Sequence, residues 1–481
     1  MNDEREQYTN TEIETGELLE ELETKRHLQG WQYWLVALLA ISASLFHLYT
    51  GAFGLFFAMK QRAIHWLFMG TIIFLLYPCS KKRPRNRIDF WDWILAGLLI
   101  TGCVYILLNW AAITDRAGNP TRPDIILGSI MIVLVIEATR RTVGWPLPIV
   151  AIVALLYSFF GPWLPTMLAH RGFPLEDLAP YQYLTTDGIF GVPLGVSASF
   201  IFLFVLFGAF LNVSGAGQFF IDLALALTGK SRGGPAKAAV VSSALMGSVS
   251  GSSVANTVTT GSFTIPLMKS VGYPAHFAGA VEAASSTGGQ IMPPVMGAAA
   301  FVMAQFLGIS YWSIVTAAAV PALLYFFSIF AMVHFRAGRE NIQGIPLEKL
   351  PKVKEVFRKG WHLLLPVIVL IVFLALGYSA IKAVFWSIVL LVVASWIGPR
   401  EHRVTPQRLV QALIEGGIAA VEVAAACACS GIIIGVVGIT GLGLAFTSFI
   451  IGMSHGILWL ALILTMIASI ILGMGLPTTA K

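Results

Sequence analysis

Charge is scarce in this sequence: only 12% of its 481 residues are acidic or basic, while 57% are apolar. Continuously apolar runs recur along it, each about the ~20 residues that a helix needs to cross ~30 Å of hydrocarbon. Such a chain crosses a membrane many times. The runs lack the every-second-residue alternation of barrel strands, so they are helices. Cysteine is almost absent as well. Cys79, Cys103, Cys427 and Cys429 lie in or at the edge of apolar segments with no histidine at ligand spacing. That excludes a disulfide framework or a zinc site and leaves them as small core residues. No nucleophile with its base, metal cluster or facing pair of carboxylates appears, so an enzyme is not expected, nor is a nucleic-acid partner. The first 30 residues hold nine acidic and three basic residues and no apolar h-region. They form a solvated acidic tail rather than a signal peptide.

What is present is a series of spans, at 33–58, 63–79, 90–110, 124–139, 145–163, 195–213, 275–307 (interrupted), 311–335, 361–378, 383–398 and 412–438. Short cytoplasmic loops carry the excess of lysine and arginine. With the tail inside, 24 of these residues fall on the inner side and six on the outer. The expected orientation puts the N-terminus in the cytoplasm.

That distribution requires residues 238–268 to enter and leave on one side. Lys230, Arg232 and Lys237 precede the segment and Lys269 follows it. Within it, "GSVSGSSVANTVTTG" is polar where a span should be apolar, so it is read as the tip of a re-entrant hairpin. Irregular backbone at membrane depth is tolerated only in protein or along a cavity, where glycine supplies the turn and hydroxyls and freed carbonyls supply ligands. An internal repeat supports this. "VSGAGQFF" (213–220) resembles "ITGLGLAF" (439–446), and the same offset of 226 carries Gly247 onto Gly473 and Ser252 and Ser253 onto Thr478 and Thr479. By the charge distribution the span at 195–213 ends inside and that at 412–438 ends outside. Two inverted halves, each with a broken element, are the architecture of secondary transporters. Segments 214–229 and 440–455 are expected to lie at the interface as bracing helices.

A second interruption is "STGGQIMPP". Gly288, Gly289, Pro293 and Pro294 break a helix, and proline leaves carbonyls in the preceding turn without donors. Carbonyls at a helix C-terminus suit a hard cation such as sodium, and the next helix N-terminus suits an anionic group.

At "FLFVLFGAFLNVSGAG", "GKSRGGPAKAAVVSSALMGSVSGSSVANT", "IPLMKSVGY", "STGGQIMPP" and "LGMGLPTTA" the chain resembles the large membrane subunit of tripartite ATP-independent periplasmic (TRAP) transporters. The first four spans resemble the small four-helix subunit, fused in one chain as in permeases that work with TAXI-class binding proteins. The resemblance implies an all-α polytopic inverted-repeat transporter with re-entrant hairpins and broken helices, preceded by a four-helix membrane domain. It implies sodium-coupled uptake of an organic anion, usually a carboxylate, delivered by an extracytoplasmic solute-binding protein, with elevator-like movement of the hairpin domain. Na+ is then the transported coupling ion, and no organic cofactor is expected. By motif, Gly247, Ser250, Gly251, Ser252, Ser253 and Asn256 form the first tip, and Thr287, Gly288, Gly289, Pro293 and Pro294 the first break. Gly473, Pro477, Thr478 and Thr479 begin the second tip. The expected division is an acidic cytoplasmic tail (1–30), a four-helix domain (31–141), a first repeat (142–350) and linker helices with an incomplete second repeat (351–481). A second GGQxxPP would fall near position 514, past Lys481, so about half of the binding site is expected outside these residues.

Other intramembrane polar residues have plainer readings. Glu137 lies a turn before Arg140 and Arg141, where local pairing suffices. Glu282 is within reach of Lys269 or water. Glu415 and Glu422 lie in an apolar span, where an acid is a functional candidate by default. His47 and His455 read as isolated core or interface residues, and Trp31, Trp34, Trp91, Trp93, Trp110, Trp145 and Trp163 as an interfacial belt. The alternatives are an ion-coupled carboxylate carrier of similar hairpin design that needs no binding protein, and an ion channel.

Overall fold

The structure, a computed structural model, describes residues 25–80, 83–116, 118–165 and 168–473. Most of the acidic tail lies outside them, as do Pro477, Thr478 and Thr479. Every regular element among the described residues is helical. Six helices are long and apolar enough to cross a membrane, and a bent pair makes a seventh.

The first four helices are α1 (Gly30–Phe53), α2 (Ala58–Leu76), α3 (Phe90–Asp115) and α4 (Arg122–Thr142). Their core is built from the buried side chains of Trp66, Met69, Leu99, Cys103, Met131 and Val135. Thr121 opens α4 through a capping box with Asp124, whose carboxylate accepts from the Thr121 N–H at 2.8 Å. At the opposite end of the unit the buried carboxylate of Asp92 lies between Arg26 and Arg141, the latter at 2.7 Å. Buried charge costs several kcal/mol per ion unless paired and hydrogen-bonded. Both guanidinium groups therefore also donate to helix-end carbonyls, Arg26 to Leu75 at 3.0 Å and Arg141 to Tyr77 at 3.0 Å. Glu137 pairs with Arg140 and Arg141, as its spacing predicts.

Helix α5 (Pro146–Phe160) and the short α6 (Leu175–Leu184) lead to α7 (Val192–Val213), which contains a π turn at Ser197–Ile201. The π turn faces two histidines, which corrects the reading of His47 as isolated. His47 Nδ1 lies 2.7 Å from the Ala43 carbonyl, His47 Nε2 lies 2.9 Å from His65 Nδ1, and His65 Nε2 lies 2.9 Å from Ser197 Oγ. A carbonyl only accepts, so with neutral rings every donor in the chain points the same way, from Ser197 through His65 and His47 to Ala43. The chain joins α1 and α2 to α7.

The central pillar is α17 (Pro406–Thr440), which packs on α1, α2, α4, α5 and α7. Its small residues permit this. A Cβ at Gly417 would sit 2.8 Å from the Ala40 carbonyl oxygen, and one at Gly431 would sit 2.4 Å from the Gly188 carbonyl oxygen. Close backbone approach of this kind is how apolar helices associate in lipid. Ser44 and Thr139 donate across the same interfaces to Leu413 O (2.7 Å) and Ala425 O (3.1 Å). Of the cysteines, Cys103, Cys427 and Cys429 are buried as expected; Cys79 is exposed just past the end of α2, so it is not a core residue. The tryptophans Trp31, Trp34, Trp91, Trp145 and Trp163 are exposed on the flanks of the spans.

After α7 the chain turns at Gly215 (φ +86°) into α8 (Ala216–Thr228) and then the helical hairpin α9 (Gly234–Ser250) and α10 (Ser253–Ser270). Helix α11 (Ala275–Gly288) is separated from α12 (Ala298–Leu307) by an unwound segment, followed by α13 (Tyr311–Arg339). A short α14 (Val353–Gly360), α15 (Leu365–Ala375) and α16 (Ala380–Ser395) connect to the pillar. The pillar ends at Gly441 (φ +71°), 226 residues after Gly215, and gives α18 (Leu442–Met453) and α19 (Leu458–Gly473). The repeat found in the sequence thus recurs as a repeated order of elements: crossing helix, left-handed glycine, short helix, next arm.

Candidate functional site: a hairpin tip welded to a helix break

The turn between α9 and α10 is two residues long and needs glycine. Gly251 has φ +62°, and a Cβ there would lie 2.1 Å from the Met296 carbonyl oxygen. Its N–H closes α9 onto Gly247 O at 3.1 Å, and Ser252 caps α10 by accepting from Ala255 N–H at 3.3 Å. Across the gap, Val295 N–H donates to Ser248 O (3.1 Å), and Gln290 Nε2 donates to Ser253 Oγ (3.0 Å). The tip and the unwound segment are therefore one piece.

Deeper in, two backbones touch. A Cβ on Gly247 would stand 2.4 Å from Gly289 Cα, and one on Gly289 would stand 2.6 Å from Gly247 Cα. Asn256, fully buried, reaches back to donate to Ser243 O at 2.8 Å and lies over this crossing. The C-terminal ends of α9 and α11 thereby meet beside one carboxamide. Helix C-termini carry partial negative charge, which a hard cation offsets. The carbonyls at the break are not left free as the sequence suggested, since Gly247, Ser248 and Ser286 to Gln290 each accept one backbone N–H and keep only a second lone pair for a ligand. Among the described residues two buried hydroxyls on these helices have no protein partner, Ser250 Oγ at the end of α9, which lines a cavity, and Ser285 Oγ on the last turns of α11. Buried hydroxyls are rarely left without a partner unless a ligand or water completes them.

Ser250, Gly251, Ser252, Ser253 and Gln290 line one wall of a cavity of about 490 Å³. The facing wall comes from Asn212 of α7 and from Glu415, Ala419, Glu422 and Val423 of the pillar. Met296 and Phe301 form its apolar floor. The N-terminus of α10 opens into this space. No lysine or arginine lines it among the described residues.

Not every residue of the motif joins the cavity. Thr287 is exposed, and its hydroxyl donates within α11 to Ala283 O at 2.8 Å. Gly288 is a packing glycine, where a Cβ would meet the Tyr325 ring at 2.5 Å. Pro294 is buried, and its carbonyl accepts from Tyr311 Oη at 3.1 Å. Gly473 ends α19, the last described helix.

Glu282 is placed differently from its sequence reading. Neither Lys269 nor solvent meets it: it is fully buried, and its carboxylate accepts from Ser243 (3.0 Å), Thr260 (2.5 Å), Thr264 (2.5 Å) and Ser286 (3.0 Å). These donors come from both hairpin arms and from α11. Thr260 and Thr264 are four apart on α10, and Glu282 and Ser286 four apart on α11, so each polar face is visible in the sequence, but not that the two faces meet. Of the facing wall, Glu415 and Glu422 stand out in the sequence as acids in an apolar span, whereas Asn212 carries no local signal, because helix pairing decides its place.

A family model described as "Tripartite ATP-independent periplasmic transporter, DctM component" matches residues 130–481. Over 168 residues the chain is 33% identical to the C4-dicarboxylate TRAP transporter large permease protein DctM of Pseudomonas aeruginosa. Over the same length it is 29% identical to the 2,3-diketo-L-gulonate TRAP transporter large permease protein YiaN of Escherichia coli. Each match covers 35% of this chain and 39% of the relative. An uncharacterized protein of Sinorhizobium fredii, y4mL, is 28% identical over 265 residues, 52% of this chain and 56% of its own length. The chain thus spans about two-fifths of the two transport relatives. Because the family model covers the hairpin, the helix break and the pillar alike, the chain belongs to the DctM component family of the tripartite ATP-independent periplasmic transporters.

Proposed function

We propose that the chain is the membrane permease part of a sodium-coupled secondary transporter that takes up organic anions, with carboxylates as the substrate class. The observation that carries this reading is the meeting of two helix C-termini at Gly247 and Gly289 beside the Asn256 carboxamide. A cation there offsets the partial negative charge of both helix ends and lies next to the α10 N-terminus, where an anionic group is favoured. The relatives' names, C4-dicarboxylate and diketogulonate transporters, support the substrate class. Membership of the tripartite periplasmic family supports delivery by an extracytoplasmic solute-binding protein. The four helices before residue 142 are read as a fused small-subunit-like unit, and the chain as lying in a cytoplasmic membrane with its N-terminus inside.

The direct test is ion-dependent stability of the purified protein in detergent. Sodium chloride should raise its Tm over the same concentration of choline chloride, and Asn256→Ala should remove most of that rise. A wild-type Tm that sodium and choline leave equal would remove the cation site. In proteoliposomes, uptake that proceeds at full rate without any binding protein would favour a carrier of similar design working alone.

A further inference from the structure

Helix α14 takes no part in the site, yet its eight residues, VKEVFRKG, are sharply two-sided. At 100° per residue, Val356 and Gly360 occupy one stripe and Val353, Phe357 and Trp361 the adjoining one, while Lys352, Lys354, Glu355, Arg358 and Lys359 fill the rest of the circle. The first stripe is buried against the protein. A Cβ on Gly360 would stand 2.0 Å from the Phe219 ring of α8, so the helix lies directly on that aromatic face. The second stripe is apolar and uncovered: Val353 is 43%, Phe357 50% and Trp361 42% exposed. Glu355 lies 3.6 Å from Lys352, which leaves Lys354, Arg358 and Lys359 with no carboxylate in salt-bridge reach among the described residues. The helix axis is bent 57° from the apolar α15 that follows, so if α15 crosses the bilayer, α14 runs obliquely at its edge.

We propose that α14 lies in the cytoplasmic membrane interface and binds the headgroups of anionic phospholipids through Lys354, Arg358 and Lys359. An uncovered apolar stripe beside a cationic arc matches the headgroup–acyl boundary: the stripe enters the acyl region, the arc meets phosphate, and each basic residue near such a surface adds attraction. A soluble acidic partner would use the cationic arc but leave Phe357 and Trp361 in water. Because α14 is seated on α8, lipid binding here steadies the short helix that precedes the hairpin.

The test uses the whole protein and does not depend on transport. In nanodiscs containing equal phosphatidylglycerol and phosphatidylcholine, native mass spectrometry of the released protein should show phosphatidylglycerol retained several-fold over phosphatidylcholine. Lys354→Gln, Arg358→Gln and Lys359→Gln together should lower that preference by at least threefold. Equal retention by wild type and variant overturns the proposal, and so does displacement of the lipid by millimolar inorganic phosphate, which would mark a phosphate site only. Should the triple variant fail to fold, spin labels give an independent reading. A label at Phe357→Cys should be relaxed more by oxygen than by a water-soluble nickel complex, and one at Lys354→Cys the reverse. Water-like relaxation at position 357 places α14 outside the membrane and overturns the assignment. Neither outcome bears on sodium binding at the hairpin, which the Tm measurement reads separately.

Discussion

Asn256 is the residue on which the two halves of the proposed cation site depend, because its carboxamide closes the gap between the ends of α9 and α11 from within the hairpin. Replacing it by alanine removes the hydrogen bond to Ser243 O, a carbonyl inside α9 that keeps its helical N–H donor, so the cost is that of one hydrogen bond, about 0.5–1.5 kcal/mol, and the Gly247–Gly289 crossing loosens. Gly251→Leu acts by bulk and backbone together, since φ +62° is a left-handed conformation and the new Cβ falls on the Met296 carbonyl. It should abolish ligand-dependent stabilisation by sodium while membrane insertion, read by fractionation, persists. Glu282→Ala leaves Thr264 and Ser286 without their acceptor, whereas Thr260 keeps Asn256 O at 2.8 Å and Ser243 keeps Thr260 Oγ1 at 3.2 Å. At roughly 1–3 kcal/mol for each buried group left without its partner, the loss is about 2–6 kcal/mol, and the apparent Tm should fall well below that of Glu282→Asp. Equal Tm values for the two variants would show that the hydroxyl nest contributes little. The polar tip and the GGQxxPP break were legible in the sequence because glycine, proline and hydroxyl residues are conspicuous against an apolar background. The partners of Glu282 and the pairing of His47 with His65 were not, because each depends on which helices become neighbours.

Helix periodicity carried more of the fold at the next scale. The spans read from apolar runs appear as helices with ends shifted by a few residues, and the left-handed glycines Gly215 and Gly441 mark equivalent turns at the offset found by comparing short motifs. What the runs could not tell was that α17 would be the pillar. Its glycines and alanines read as a generic apolar span, and only packing shows that Gly417 touches Ala40 backbone. Gly417→Leu should therefore separate α1 from α17. Overpacking of this kind costs typically ~1–3 kcal/mol, and the expected result is a lower apparent Tm with faster proteolysis of the loop between α1 and α2. The same substitution at Gly452, where a Cβ meets open space, should be nearly neutral. If both variants melt alike, the pillar interface is not what limits stability.

For the whole molecule, the charge distribution makes a claim about sidedness. Within the 164–194 and 440–456 segments, single cysteines at exposed positions such as Arg171, Glu176 and His455 should react with an impermeant reagent added outside intact cells, and those within 81–87 or 336–359 should not. Outside labelling of the 336–359 loop would falsify the re-entrant reading of the hairpin, because a full crossing there inverts everything after it. The Gly247–Gly289 contact has a further consequence at this scale. Main chain meets main chain with no side chain between, so the spacing of the two helix ends is fixed by atoms that every amino acid shares. The cavity wall opposite comes from other elements, with Asn212, Glu415 and Glu422 among its lining residues. On the proposed function, substitutions in that wall reshape what the cavity accepts while the main-chain contact stays as it is, so the choice of cargo and the hold on the ion can vary separately.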